Sequence, residues 1–366
     1  MKDLRYRLSA SRLLRGDGDG WEQGTPHEWL RRLLDDWREY DETAFQTQLD
    51  SREHLRVDVS GIGIHLVREE GRGSNPLPLI LTHGWPGSFY EFESLIPLLT
   101  DPVAHGASSD ESFTVVIPSL PGFGFSDPHP AGQGTHSQTA ELWSRIMSEA
   151  LGYDHYVAHG SDLGAGITAR LARSHPETVA GIHLATPGLA LAPAPWSASE
   201  EAFAAEVKSW DAEEGGYAHE HATRPLTLAA GLLDSPSGLA AWIGEKVRAW
   251  SSGDLTESTP ERNFLLATLT LYWTTGTIAS SLLPYWAFAH SIEDRLVADE
   301  PINTPTAVTV FGGERVRFPK PPRELAERYF AITSWSEHGA GGHFPSVSEP
   351  DLLAKIIRDV FRPFRK

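Results

Sequence analysis

The sequence predicts an α/β protein: a mostly parallel sheet flanked by helices, with a helical insertion and a helical N-terminal extension. Three observations lead there. Continuous apolar runs alternate with helix-like segments in the first half of the chain, the pattern of a parallel sheet covered on both faces. From about Leu189 to Glu300 the alternation gives way to helical segments broken by Trp, Pro and Gly. Strand character then returns at Thr304–Gly313 and around Ile332–Glu337, so the insertion interrupts one sheet.

The elements follow in order. Residues 1–53 form the extension, with Trp29–Tyr40 amphipathic at helical spacing. The first part of the sheet domain covers 54–188. Leu55–Val67 alternates apolar and polar residues around Ser60-Gly61 and predicts a hairpin. Leu77–Thr82 and Phe113–Leu120 are apolar strands, a helix follows near Ser137–Leu151, and Tyr156-Val157-Ala158 is a short strand running into Gly160-Ser161-Asp162-Leu163-Gly164. A helix from Leu163 and a strand from Val179 complete this half. The cap insertion covers 189–300 and the second part of the sheet domain 301–366, ending in an amphipathic helix, Asp351–Phe361.

Composition narrows the classes. A chain of 366 residues with 40% hydrophobic content and 12 tryptophans can bury a large core. A net charge of −18 sets its surface against nucleic acid and anionic membranes. With no cysteine, disulfides and thiolate chemistry are excluded. The opening MKDLRYRLSASRLLRGDGDG lacks the apolar core of a signal peptide. Phe264–Ala289 is 26 residues without a charge, but its Thr and Ser residues, Gly276 and Pro284 point to a helix buried in protein rather than a membrane anchor.

In α/β sheets, reacting groups sit beyond the carboxyl ends of the strands. Here those positions hold His83-Gly84-Trp85-Pro86-Gly87, then PGFGFSD, then the Asp162 pentapeptide, then Gly312-Gly313-Glu314, then His338-Gly339-Ala340-Gly341-Gly342-His343. Aspartate, glutamate and histidine in that chain order are the nucleophile, acid and base of the α/β-hydrolase fold. Asp162 occupies the apex where many hydrolases carry serine, and Ser161 falls one residue early. No metal-ligand spacing and no nucleotide-binding loop is present, so neither metal nor cofactor is expected.

The segments HGWPGSFYEF, PSLPGFGFSD, GSDLGAG, DSPSGLAAWI, LYWTTGTIASS and GGHFPSVSEP resemble the epoxide hydrolases, in the branch of the microsomal and juvenile-hormone enzymes with its N-terminal extension. The microsomal membrane-anchoring helix is missing, and the match is looser around Asp41–Ser51. The resemblance implies a cytoplasmic enzyme that turns a small-molecule epoxide and water into a vicinal diol, without nucleic acid or membrane partner and with a homodimer left open. It also explains the aspartate. A serine would form an ether with the epoxide, whereas a carboxylate forms an ester that water can cleave.

On this reading Asp162 is the nucleophile, His343 the base for water and Glu314 the acid that orients it. Backbone N–H groups of Trp85 and Leu163 form the oxyanion hole, and His83 supports that loop. By the same resemblance Tyr217 and Tyr285, in the cap, donate to the epoxide oxygen. The cap tryptophans and the uncharged stretch suggest a bulky apolar or aromatic substrate. Plainer readings stand beside these: Asp162 as a helix cap, Glu314 as a solvated loop acid, His338 in place of His343, and the two tyrosines as cap-core aromatics. A dehalogenase with the same aspartate–histidine chemistry, a serine esterase using Ser161 and an inactive binding module are the alternative functions.

Overall fold

The computed structural model describes residues 2–13, 20–130, 133–253, 255 and 259–365. Eight strands form one sheet in the order β1-β2-β4-β3-β5-β6-β7-β8. They are β1 Glu53–Val59, β2 Ile62–Glu69, β3 Leu77–Thr82, β4 Phe113–Pro118, β5 Tyr156–Ser161, β6 Val179–Ala185, β7 Ile302–Phe311 and β8 Phe330–His338. β1 and β2 form the expected hairpin, its turn residues Ser60 and Gly61 both at positive φ (56° and 80°), and β2 joins β4 antiparallel. All further pairings are parallel.

Alternation along the strands divides the core. Leu79, Leu81, Val115, Ile117 and Val157 pack with the helices α4 (Leu95–Thr100) and α15 (Pro350–Phe361) on one face. Ile80, Val116 and Ala158 pack on the other, toward α5 (His136–Arg145) and α6 (Leu163–Ser174). Successive side chains of a strand point to opposite faces, so runs this uniformly apolar need cover on both sides.

Among the described residues three helices precede the sheet: α1 (Lys2–Ser9), α2 (His27–Glu39) and α3 (Glu42–Asp50). The insertion supplies α7 (Ala198–Glu213), α8 (Gly216–Thr223), α9 (Pro225–Asp234), α10 (Pro236–Trp250), α11 (Pro260–Thr275) and α12 (Ile278–Ala289). The helices α1 and α2 pack against α10 of the cap. Gly244 makes room for this: a Cβ there would lie 2.9 Å from Trp29 and 3.1 Å from Leu33. Trp37 Nε1 donates to Thr270 Oγ1 at 3.0 Å, Asp36 pairs with Arg262, and Arg7 reaches Asp234 at 2.7 Å.

The uncharged stretch Phe264–Ala289 is not one helix. It is most of α11 followed by α12, with Gly276 in the left-handed region (φ 68°) closing the first. A glycine at that position ends a helix at no steric cost. Among the described residues no single helix is long and apolar enough to cross a membrane. Between cap and sheet, Asp294 accepts the backbone N–H groups of His136 and Ser137, each at 2.9 Å, and so caps α5 from far along the chain. Two short helices pack at the end of the chain: α13 (Arg323–Glu327) on β8, and α14 (Pro345–Ser348) against α11 and α15.

Candidate active site

The turn between β5 and α6 is an elbow, and its glycines are required by contact. A Cβ on Gly164 would lie 2.0 Å from the Thr82 carbonyl oxygen, and one on Gly160 2.2 Å from that of Gly164. Asp162 sits at the apex with φ 52° and ψ −126°, a strained conformation for a side-chain-bearing residue. Its side chain makes no capping hydrogen bond to α6, which removes the helix-cap reading.

The carboxylate is instead held by the groups named from the sequence. Trp85 N–H donates to Asp162 Oδ1 at 2.8 Å, and the Leu163 N–H at the start of α6 adds its pull on the carboxylate charge. His343 Nε2 lies 3.3 Å from Asp162 Oδ2. Burial raises the Asp162 pKa, but the close approach and charge of His343, with the two N–H groups, outweigh it and hold it below the ordinary carboxylate value. For His343, burial lowers the pKa, and the close approach and charge of Asp162 with the charges of Glu91 and Glu314 hold it above the ordinary imidazole value.

Glu314 is no solvated loop acid: its side chain is 0% exposed, and its Oε2 accepts Lys320 Nζ at 2.9 Å. Its Oε1 receives no hydrogen bond. No hydrogen bond joins Glu314 to His343, so here the acid acts on the imidazole by charge, and the free oxygen leaves an acceptor for it. His338 stays on β8 and stacks on Phe311, while His343 is the imidazole at Asp162. Ser161 is buried in the last position of β5, off the apex. His83 accepts Leu120 N–H at Nε2 (3.1 Å), so its Nδ1 carries the proton and donates to the Gly84 carbonyl (3.0 Å). Burial lowers its pKa to about 4, and it serves as a neutral strut under the Trp85 loop.

The cap lowers Tyr217 and Tyr285 onto this centre. Tyr217, from α8, stacks on Trp85 with ring centroids 5.5 Å apart. Tyr285, from α12, meets Tyr217 edge-on at 6.1 Å. Burial, reinforced by the charge of Asp162, raises both phenol pKa values, so both keep their protons. Among the described residues the Tyr285 hydroxyl, buried, has no partner in hydrogen-bond geometry.

Several site residues escaped the sequence reading. Trp250 and Phe318 pack on His343 at 4.9 and 5.0 Å, and His221 sits between Trp85 (4.7 Å) and Tyr285 (5.0 Å). Trp242 Nε1 donates to His221 Nε2 at 3.2 Å. Glu91 is 3% exposed, and its carboxyl feels the charges of His343 and Asp162. None stands in a spacing that sets it apart from ordinary core residues, although Glu91 lies inside the quoted segment HGWPGSFYEF.

Comparison with known proteins gives the same direction. Residues 1–92 match the family model described as epoxide hydrolase N terminus, and residues 78–237 the one described as alpha/beta hydrolase fold. A Stigmatella aurantiaca protein bearing an epoxide hydrolase name is 39% identical over 100% of this chain and 83% of its own length. Epoxide hydrolase 1 of Oryctolagus cuniculus is 32% identical over 98% of this chain and 85% of its own. The crystal structure of juvenile hormone epoxide hydrolase from Bombyx mori superposes with a TM-score of 0.85 at 29% identity, covering 100% of this chain and 92% of that one. With relatives this similar aligned along nearly its whole length, the chain belongs to the epoxide hydrolase family and is an epoxide hydrolase on the α/β-hydrolase fold.

Proposed function

We propose that the enzyme opens a bulky apolar or aromatic epoxide by covalent catalysis at Asp162 and releases the vicinal diol by hydrolysis of the resulting ester. One observation carries this reading. Asp162 Oδ1 already lies on the Trp85 N–H at 2.8 Å, while Oδ2 faces His343 at 3.3 Å. Oδ1 is therefore the oxygen that becomes the ester carbonyl and then the oxyanion, in place before any chemistry begins.

In the first half-reaction Asp162 Oδ2 attacks an epoxide carbon, the C–O bond breaks, and the ring oxygen takes a proton from Tyr285 or Tyr217. The phenol pKa shifts favour proton retention until that oxygen develops charge. In the second, His343 takes a proton from water as the hydroxide oxygen adds to the Asp162 carbonyl carbon. The tetrahedral intermediate collapses, the diol oxygen leaves with the proton from His343, and the second proton of the water returns to the tyrosine phenolate, which restores both the Asp162 carboxylate and the phenol. Trp85, Trp210, Trp250 and Phe318 wall the site with aromatic rings, which supports a bulky apolar substrate. The paired phenols favour an oxygen leaving group over a halide, which has no use for two proton donors.

A single turnover in ¹⁸O-water, with enzyme in excess over styrene oxide, tests the ester. The first diol is expected mostly unlabelled, and the peptide carrying Asp162 is expected to gain the label. Label in the first diol with none in that peptide would show direct attack by water and defeat the proposal.

A further inference from the structure

Glu91 is the one buried carboxyl beside the catalytic pair, among the described residues, that the mechanism above leaves without a task. It stands in the turn Phe89–Phe92 after β3, on the loop that also carries Trp85. Ser346 Oγ donates to Glu91 Oε1 at 3.0 Å, and the Ser161 hydroxyl is near enough to pull on the same carboxyl. A Cβ on Gly87 would lie 2.5 Å from Glu91 Oε2, so glycine at that place admits the carboxyl. One side chain thus bonds helix α14, which begins two residues after His343, and fits against Gly87 of the Trp85 loop. A buried acid has no stabilising reason to sit there: an apolar residue would avoid its desolvation.

The geometry points to Glu91 as a positioning residue for ester hydrolysis: its buried carboxylate is the negative charge that faces His343 once Asp162 has been esterified and neutralised. This rests on the ester reading above. In the free enzyme the charges that face His343 are those of Asp162, Glu91 and Glu314, the last shared with Lys320. Esterification removes the first of them when the imidazole must take a proton from water. The groups that face Glu91 itself are His343 and Asp162, with the hydroxyls of Ser346 and Ser161. Burial, with the repulsion of Asp162, pushes the Glu91 carboxyl up to about 7 against the pull of those hydroxyls and His343. Loss of the Asp162 charge therefore favours its ionisation, the proton passing to solvent. The remaining anion stabilises the imidazolium that forms at His343 and keeps the ring set toward the ester.

The test is Glu91→Gln in the full chain, which keeps the shape and the Ser346 contact. Alkylation by excess epoxide is followed as growth of the Asp162 peptide adduct, and its hydrolysis as decay of that adduct across pH 5.5–9. The expected result is alkylation within about twofold of the parent, adduct decay slowed at least 10-fold, and the acid limb of the decay profile moved to lower pH, because His343 loses an anionic neighbour. Glu91→Asp, which keeps the charge, should restore part of the limb. Equal slowing of both half-reactions with an unmoved limb would mean a merely structural acid and overturn the proposal. So would unchanged adduct decay. Absence of any adduct in the parent and in both variants would instead overturn the ester reading, and this proposal with it.

Discussion

Replacing Tyr285 by Phe should make the protein more stable and a poorer catalyst at once. The hydroxyl is buried without a hydrogen-bond partner, in a helix whose ring packs against Tyr217, Trp85 and His221. An orphaned buried polar group costs ~1–3 kcal/mol. The neighbouring Tyr217 phenol couples to Tyr285, so the lower end, about 1 kcal/mol, is appropriate. At about 2.1 cal/mol/K per residue, unfolding this chain releases roughly 0.8 kcal/mol/K, so Tm should rise by about 1–2 °C. The same hydroxyl becomes a charge-assisted donor when the epoxide oxygen breaks away, an interaction of ~1.5–3 kcal/mol. Alkylation should therefore slow by roughly 10- to 100-fold, with hydrolysis of the formed ester little changed. Differential scanning calorimetry reads the first effect. Stopped-flow tryptophan fluorescence reads the second, since Trp85 and Trp250 lie at the centre. A lower Tm together with an unchanged alkylation rate would show that the hydroxyl belongs to the cap's packing and is not held in reserve for the transition state.

In His343→Gln the water is left without its base, and general-base catalysis is typically worth 10²–10⁴-fold. Alkylation should survive, and a substrate-mass adduct should collect on the Asp162 peptide; a variant that still turns over without a detectable adduct would place the base elsewhere. Asp162→Ala should abolish diol formation in a folded protein while Ser161→Ala retains most activity, and the reverse pattern in a diol assay would favour the serine. Acid should unfold the enzyme below neutrality: burial holds the pKa values of His65 and His221 down to about 3 and those of His83 and His159 to about 4. Unfolded imidazoles take protons below about 6.5, so stability is full above that pH and is lost as pH falls toward about 4. At pH 5 each such group costs ~2 kcal/mol, and four together approach a typical folding free energy of ~5–15 kcal/mol. A near-UV circular dichroism signal intact at pH 4.5 would contradict this.

What the sequence made legible was whatever a local pattern encodes. β3 runs from Leu77 to Thr82 as read, because a fully buried parallel strand is an unbroken apolar run. The β1–β2 hairpin declared itself through Ser60-Gly61 at the turn. Asp162 was visible because glycines flank it where β3 and α6 come too close for side chains. Elsewhere the deciding partner is distant. Within Phe264–Ala289 the stop signal is Gly276 alone, and a single glycine shows as a helix end only once its backbone is seen in the left-handed region. Asp294 caps α5 from 158 residues away, and Lys320 takes one oxygen of Glu314. Glu91 reads as one more surface acid until Ser346, 255 residues later, is placed on it. Trp250 and Phe318 are ordinary aromatics until the fold brings both to His343.

The packing of α1 and α2 on α10 bears on how this enzyme could be recombined with its relatives. The helices α7 to α12, two of which carry Tyr217 and Tyr285, follow one another in sequence, which makes them a natural cassette for exchange. Its seat is not contiguous. Trp29 and Leu33 close on Gly244, Trp37 on Thr270, and Asp36 on Arg262. A donor cap with alanine at the Gly244 position would collide with a recipient's Trp29, and one with a smaller partner there would leave a void costing a few kcal/mol. Crossovers that keep parental partners together therefore move two fragments, the first ~50 residues and the insertion, as a single inheritance.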